Sequence, residues 1–458
     1  MNMRITKTLF LLIICGLAGN LAGQESTLED YIEVGLQNNL ALKQKEVNYQ
    51  KSLQVLKQAR SYFYPDISVN MRYSAAEGGR LIEFPVGTML NPVYQTLNYL
   101  LGQDQFPDID NMNFAFYRPT EHETKLSLIQ PIIDPKIYYN SKIKRELSNA
   151  IKADGESYQR QLVADIKTAY FNYLKTLRLI ELLDDTKGLL AENVRVNEKL
   201  FENDKITIDY VHRSRAELSK LAQQAALAKK NNQVAAAYFN FLLNRSFDQP
   251  IPADAGYDSI PELLTLANLT NQAIENREEL EMLRSYSRVA DNYLSMNQMG
   301  RIPSLYAAVD YGFQGMQYEF NSRQDYIFAS LVFRWDIFHG FQKKAQIGEA
   351  RIEQEIRTNM LQETEQQVRL QALEAHYDLM ASAESIKAAE EELLSSKNAF
   401  RVVDRKYKEG QASLIEFIDA RTSMTQAGER LIISKYDYHI KYAELERAAC
   451  LYPIKEQQ

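Results

Sequence analysis

The sequence predicts a mostly α-helical protein with membrane β-strands, internally duplicated, in which each half supplies two strands and two helical arms. Three observations lead there: two stretches of about 68 residues without proline, four short segments that alternate with period two, and a self-match between the halves at a nearly constant offset.

The strands decide the solvent. In Asp66–Ser74 the apolar set is Ile67, Val69, Met71 and Tyr73, against Asp66, Ser68, Asn70, Arg72 and Ser74. In Ser304–Gln314 one face is Leu305, Ala307, Val309, Tyr311 and Phe313, and the other contains Asp310 and Gln314. Ile327–Asp336 sets Ile327, Ala329, Leu331, Phe333 and Trp335 against Ser330, Arg334 and Asp336. His122–Gln130 is weaker, with Leu126 and Leu128 facing away from Lys125 and Ser127. Such alternation marks half-buried strands and fits a sheet on a water-soluble core as well as a membrane. Two features favour the membrane: lengths of about 9–11 residues, and the aromatic clusters Tyr62, Phe63, Tyr64 and Trp335, Phe338 at strand ends, placed like an interfacial girdle.

Long polar helices lie between the strands. Residues 136–203 and 341–409 contain Gly155, Gly188 and Gly348 and no Pro. In the first, Leu162, Ile166, Tyr170, Tyr173, Leu177, Ile180 and Leu183 follow three- and four-residue steps and lay one apolar stripe. At 1.5 Å per residue each helix is about 100 Å long; an ordinary coiled coil would share the periodicity. Shorter helical stretches of about 35 residues cover 27–61, 208–244, 265–299 and 413–449, and two of these end to end match one long helix. That arithmetic implies a tube wall of paired helices, belted by the linker 245–264, with Pro250, Pro252 and Pro261, and by the C-terminal tail.

The duplication fixes the order. Gln130-Pro131-Ile132-Ile133 matches Trp335-Asp336-Ile337-Phe338 at an offset of 205, and Phe201–Arg215 matches Tyr407–Arg421 at an offset of 206. Pro65 and Pro303 each start a strand after a helix. Each half therefore reads helix, strand, strand, long helix, tip, returning helix.

Residues 1–23 have the layout of a secretory signal peptide: Arg4 and Lys7, an apolar run from Leu9 to Leu17, then small residues up to Gly23. Cys15 follows Ile14, where a lipidation signal needs a small residue. After cleavage near Gly23 the chain carries 51 basic and 60 acidic residues, a formal charge of −9, which argues against nucleic acid as a partner. Only Cys450 would remain, so no internal disulfide is expected. Beyond residue 23 no apolar run reaches about 18 residues, so insertion in a membrane would have to be by β-barrel. Four strands cannot close a barrel, and an open edge in lipid leaves backbone groups unpaired at several kcal/mol each. Copies must combine: two supply eight strands and three supply twelve, and arithmetic does not choose.

The opening Thr27-Leu28-Glu29-Asp30-Tyr31-Ile32-Glu33-Val34-Gly35-Leu36-Gln37-Asn38-Asn39, the strand-starting prolines, Gln130-Pro131-Ile132-Ile133-Asp134 and the repeated tips resemble the TolC family of outer-membrane efflux proteins over essentially the whole mature chain. The resemblance implies a homotrimer in outer-membrane lipid, with a 12-stranded β-barrel continuous with a long α-helical barrel. It further implies docking to a periplasmic adaptor (membrane fusion) protein and an inner-membrane RND or ABC transporter. The division expected is signal peptide 1–23, periplasmic helix 24–62, first β-hairpin 63–132 with an extended extracellular loop 76–120, helical hairpin 133–244, equatorial linker 245–264, periplasmic helix 265–302, second β-hairpin 303–338, helical hairpin 339–449 and tail 450–458.

The resemblance places the tunnel entrance and the adaptor contact at the tips, Asp204, Lys205, Ile206 and Gly410, Gln411, Ala412. It puts Glu416 and Asp419 at an acidic constriction and Tyr407 at the latch of the closed entrance. Helical spacing sets Glu416 and Asp419 on one face, and three copies would make a ring of carboxylates; two acids on a solvated helix face is the plain alternative. Gly410 suits a turn needing positive φ, whereas Asp204 stands where the family usually has Gly, and Ala412 where some members carry Arg. The segment Pro65–Gln130 is 33 residues longer than Pro303–Trp335, and its insert, rich in aromatics from Phe84 to Tyr117, is expected to form a lid or constriction over the barrel mouth. The histidines His122, His212, His339, His376 and His439 are scattered, with no H-E-x-x-H, phosphate loop or G-x-S-x-G, so neither an enzyme nor a metal or cofactor is expected. Cargo stays open between small molecules, metal cations and type I secreted protein, and a periplasmic coiled-coil scaffold is the reading from another class.

Overall fold

The computed structural model describes residues 27–252 and 265–454. The expected signal peptide, most of the linker 245–264 and the last four residues lie outside the described residues. In chain order the elements are α1 (Leu28–Asn38), α2 (Leu40–Ser61), β1 (Asp66–Ala75), β2 (Leu81–Phe84), α3 (Val86–Leu101), β3 (Met112–Ala115), β4 (Thr120–Ile133), α4 (Pro135–Glu202), α5 (Ile208–Leu242), α6 (Leu266–Asn276), α7 (Glu278–Met299), β5 (Ser304–Gly315), β6 (Asp325–Arg334), α8 (Gln342–Lys408) and α9 (Leu414–Ala448). They fall into two compact units. One is helical, with residues 27–52, 147–287 and 356–454; the other, with 53–146 and 288–355, holds all the strands.

In the helical unit, Thr27 starts α1 with a capping box: its backbone N–H and hydroxyl donate to Asp30, and its hydroxyl accepts from the Asp30 N–H. Leu28, Tyr31 and Ile32 then pack on Leu162, Ile166 and Tyr170 of α4 and on Phe239 and Leu242 of α5. Each such burial stabilises by about 1.5–3 kcal/mol. A Cβ on Gly35 would lie 2.3 Å from the end of Ile166, so any larger residue here must displace that side chain or push α1 away from α4. A second cluster repeats the pattern, with Leu269 of α6, Leu379 of α8, and Tyr438 and Leu445 of α9.

The stretches 27–61 and 265–299, expected as single helices, are each broken after 11 helical residues, at Asn39 and Arg277. The cause is a carbonyl at the far end of a returning helix, which has no partner within its own helix. The Asn39 amide donates to the buried Leu242 carbonyl (2.9 Å) while its oxygen accepts from Leu42 N–H (3.0 Å), starting α2. The Arg277 guanidinium donates to the Ala448 carbonyl (3.2 Å) and pairs with Glu279 at 2.9 Å. Leu242 and Ala448 are the last residues of α5 and α9. Paired lengths follow: 11 and 22 residues for α1 and α2, 11 and 22 for α6 and α7, 68 and 67 for α4 and α8, 35 each for α5 and α9.

Both long helices end in the same hydrogen-bonded turn. Asp204 N–H bonds the Phe201 carbonyl and Lys205 N–H the Leu200 carbonyl; Gly410 N–H bonds Tyr407 and Gln411 N–H bonds Lys406. This is a Schellman motif, whose pivot residue needs left-handed backbone. Gly410 sits at φ 73° and Asp204 at φ 56°, the latter tolerable because a short polar side chain is among the few that accept this region.

In the strand unit, one antiparallel sheet runs β1-β4-β5-β6. Its rows join Ile67, Leu128, Val309 and Ala329, then Val69, Leu126, Tyr311 and Ile327, so one face is apolar. That face is open: Val69 is 67% and Ile327 75% exposed. The opposite face carries Lys125 paired with Asp310 (2.8 Å), Arg72 near Glu123 (3.5 Å), and Tyr326 donating to Glu123 (2.9 Å). β1 and β6 each have a single strand neighbour.

Residues 76–120, expected as an extended extracellular loop, hold α3 and the antiparallel pair β2–β3 that flanks it in sequence. The helix was hidden because Pro92 lies inside it, where a proline ordinarily ends a helix.

Two sets of substitutions check these assignments. Asn39→Ala strands a buried carbonyl and removes the α2 cap, at a cost of about 1–3 kcal/mol, read as a lower unfolding midpoint in detergent; Asn38→Ala, whose side chain bonds only its own exposed helix turn, should move it little. Gly410→Ala should cost about 1–2 kcal/mol, whereas Asp204→Gly should stabilise, by up to about 1 kcal/mol.

Candidate functional site

At the tips of the helical unit, the side chains proposed for the entrance do different work. Tyr407, in the last turn of α8, is partly buried; its hydroxyl donates to Asn197 Oδ1 on α4 at 2.7 Å, and its ring stacks on Phe417 of α9 at 4.8 Å. Burial raises the phenol above its usual pKa, which keeps it a neutral donor. Asn197 is fully buried and passes the connection on, donating to Ser214 of α5 at 2.6 Å and to Asn193 at 3.2 Å. One polar relay therefore ties α8 to α4 and α5. Further from the tip, Arg421 of α9 is buried and pairs with Glu217 of α5 at 3.0 Å, its Nε left without an acceptor. Desolvation lowers the Arg421 pKa. Lys175–Asp437 (2.9 Å) and Lys167–Glu446 (2.7 Å) join α4 to α9.

Glu416 and Asp419 are both exposed, yet they are not equivalent. The Glu416 carboxylate is turned back on its own helix start, accepting from the Ser413 N–H (2.7 Å) and hydroxyl (2.9 Å), while Glu416 N–H donates to Ser413 Oγ. That capping box, the backbone bond first, holds its pKa below the ordinary glutamate value. Asp419, one turn on, has no hydrogen bond or ion pair to another described residue. Of the two acids expected to act jointly, the structure commits one to a cap and leaves the other open. Asp204, Lys205, Gly410 and Gln411 are exposed, and Ile206 and Ala412 half-buried, at the two turns.

In the strand unit, Tyr62, Phe63 and Tyr64 precede β1, and Trp335 and Phe338 follow β6. The register places both groups at one end of the sheet, since Asp66 pairs with Ile129 and Ser304 with Arg334. All five are exposed. The Trp335 indole donates to the Arg301 carbonyl at 3.0 Å, which fixes the ring as β6 ends.

Sequence reasoning missed Asn193, Asn197, Ser214, Glu217, Phe417 and Arg421. The one available signal was Asn193 and Asn197, a polar i, i+4 pair flanking the apolar Val194 of α4. Among the described residues no group of three or more metal-ligating side chains occurs, and no helix is long and apolar enough to cross a membrane.

Comparison with known proteins agrees with this architecture. Residues 269–450 match the family model described as outer membrane efflux protein. Outer membrane protein TolC of Escherichia coli (strain K12) is 20% identical over 349 residues, covering 70% of this chain and 68% of that protein. Among solved structures, a membrane protein from Pseudomonas aeruginosa superposes with a TM-score of 0.77 at 14% identity, covering 92% of each chain. The Campylobacter jejuni CmeC outer membrane channel does so with a TM-score of 0.76 at 15% identity, covering 92% of this chain and 85% of that one. Strand register and tip geometry agree with these matches: over residues 269–450 the chain is similar to the outer membrane efflux protein family, and in fold it is similar to outer membrane channels.

Proposed function

We propose that three copies of this chain form the passive exit duct of a tripartite efflux pump, exporting small molecules across the outer membrane of a Gram-negative envelope. The observation that carries this reading is the four-stranded sheet with an exposed apolar face, an ion-paired polar face and two open edges. An unpaired backbone group in lipid costs several kcal/mol, so β1 of one copy must meet β6 of the next. Three copies supply the twelve strands that the family resemblance implies, with apolar rows toward lipid and the Lys125–Asp310 face lining the lumen. The aromatics Tyr62, Phe63, Tyr64, Trp335 and Phe338 then form the inner interfacial girdle. Equal element lengths in the two halves support an internal duplication, whose paired hairpins build the helical barrel. The tips at Asp204–Ile206 and Gly410–Ala412 dock a periplasmic adaptor, which couples the duct to an inner-membrane RND or ABC transporter.

The entrance closes through contacts between hairpins. The Tyr407–Asn197 bond and the Arg421–Glu217 pair hold α8 and α9 against α4 and α5, and their release moves the turn that carries Asp419. Three copies of Asp419 form the acidic ring, because Glu416 is occupied at its cap.

In planar bilayers, Asp419→Ala should raise single-channel conductance and weaken block by multivalent cations; unchanged values would remove Asp419 from the constriction. Glu416→Ala should act mainly on stability, at about 1 kcal/mol, with the smaller effect on conductance. For the assembly, the unheated protein in mild detergent should run on a gel as a trimer that boiling converts to monomer. A folded monomer that stays soluble without detergent would sink the duct reading.

A further inference from the structure

The helical arms of the two halves keep one offset from end to end. The left-handed residues Asp204 and Gly410 stand 206 positions apart at the tips, and Asn244 and Cys450, at φ 52° and 57°, stand 206 apart just beyond α5 and α9. The turns there are bonded alike: Arg245 N–H meets the Asn240 carbonyl, and Leu451 N–H the Glu446 carbonyl. Each position of α5, and of α4 toward its tip, therefore has a counterpart 206 residues on, in α9 or α8.

These counterparts differ sharply in burial. Within the chain, α9 lies on α4. The Phe171 ring of α4 stacks on His439 of α9 at 4.9 Å, a Cβ on Gly428 of α9 would lie 3.2 Å from Leu182 of α4, and Ile440 of α9 packs on the first core cluster. Phe171 is 4% and Leu174 2% exposed, yet their counterparts on α8, Tyr377 and Met380, are 56% and 46% exposed. The other side of the contact behaves in the same way. His439 and Gly428 are buried and Ile440 half-buried, whereas their counterparts on α5, Gln233, Ala222 and Val234, are all exposed. Ala388, the counterpart of Leu182, is exposed as well. Two open faces thus repeat the two faces that cover each other inside the chain.

The correspondence names the cover. What lies on α4 is α9, so what lies on α8 is the counterpart of α9, which is α5. The chain's own α5 leaves this face open, so the α5 required is that of another copy. The direction agrees with the strands, where β1 of the first half must meet β6 of the second half of a neighbour. A head-to-tail contact of this kind closes into a ring.

We propose that α5 of one copy covers α8 of the next in the register that α9 and α4 hold within the chain, so that Gln233 meets Tyr377 and Ala222 meets Ala388. This rests on the reading of the protein as a multimeric duct. The test is disulfide trapping in isolated outer membranes in a Cys450→Ser background. The matched pairs are Gln233→Cys with Tyr377→Cys and Ala222→Cys with Ala388→Cys. The mismatched pair, Gln233→Cys with Ala388→Cys, is 11 residues out of register, about 16 Å along the helix, beyond the roughly 7 Å that a disulfide spans between Cα atoms. Each matched pair should give an oxidant-dependent ladder of dimer and trimer on a denaturing gel, and the mismatched pair none. Gln233→Cys and Tyr377→Cys carried on separately tagged, co-expressed chains should give a dimer containing both tags. If the unheated trimer band is present but the matched pairs fail to link copies, or the mismatched pair links them equally, the inference is overturned while the duct reading stands. Loss of the trimer band from the unmodified protein would remove both.

Discussion

The constraint on which the rest depends is the hydrogen bonding of peptide groups along β1 and β6. A sheet of four strands with an apolar face has no solvent that suits it: water meets Val69 and Ile327, and lipid meets unpaired N–H and C=O groups. Closure by other copies satisfies both demands at once.

A related logic operates where the helices meet. Helix termini leave carbonyls without partners, and the chain answers at the ends of α5 and α9 by breaking a neighbouring helix and sending in a side chain, Asn39 to Leu242 and Arg277 to Ala448. The two solutions differ chemically. Asn39 is neutral and is satisfied by Leu242, Leu42 and a 3.5 Å contact from the Tyr158 hydroxyl, whereas Arg277 is charged, 4% exposed, and requires Glu279 and Gln371 around it. Buried charge is tolerated only when so surrounded.

Much of this was readable from residue order. Alternation placed the strands, since Ile67, Val69 and Met71 on one side and Ser68, Asn70 and Arg72 on the other leave little freedom of register. The turn at Gly410 followed from the backbone freedom of glycine. Interruptions at Asn39 and Arg277 were hidden because they answer to carbonyls some 200 and 170 residues away, which no local pattern can report. At the candidate site, helical spacing correctly put Glu416 and Asp419 on one face but could not show that Ser413 claims the nearer carboxylate, although the Ser-x-x-Glu spacing of a capping box was present in the sequence. The partners of Tyr407 were illegible for the same reason as the interruptions: Asn197 lies 210 positions away.

The apolar surface left open on the chain has a consequence for how the protein comes to exist. A copy that has finished folding by itself still displays the leucines of α3, the apolar rows of the sheet and two strand edges able to template pairing with any exposed strand. In the assembly proposed above, the most hazardous moment is thus before the copies meet, when the subunit is native yet sticky. Holding chaperones in the compartment it crosses would have to recognise a correctly folded surface, and the rate of encounter between copies, more than the rate of folding, would set how much survives.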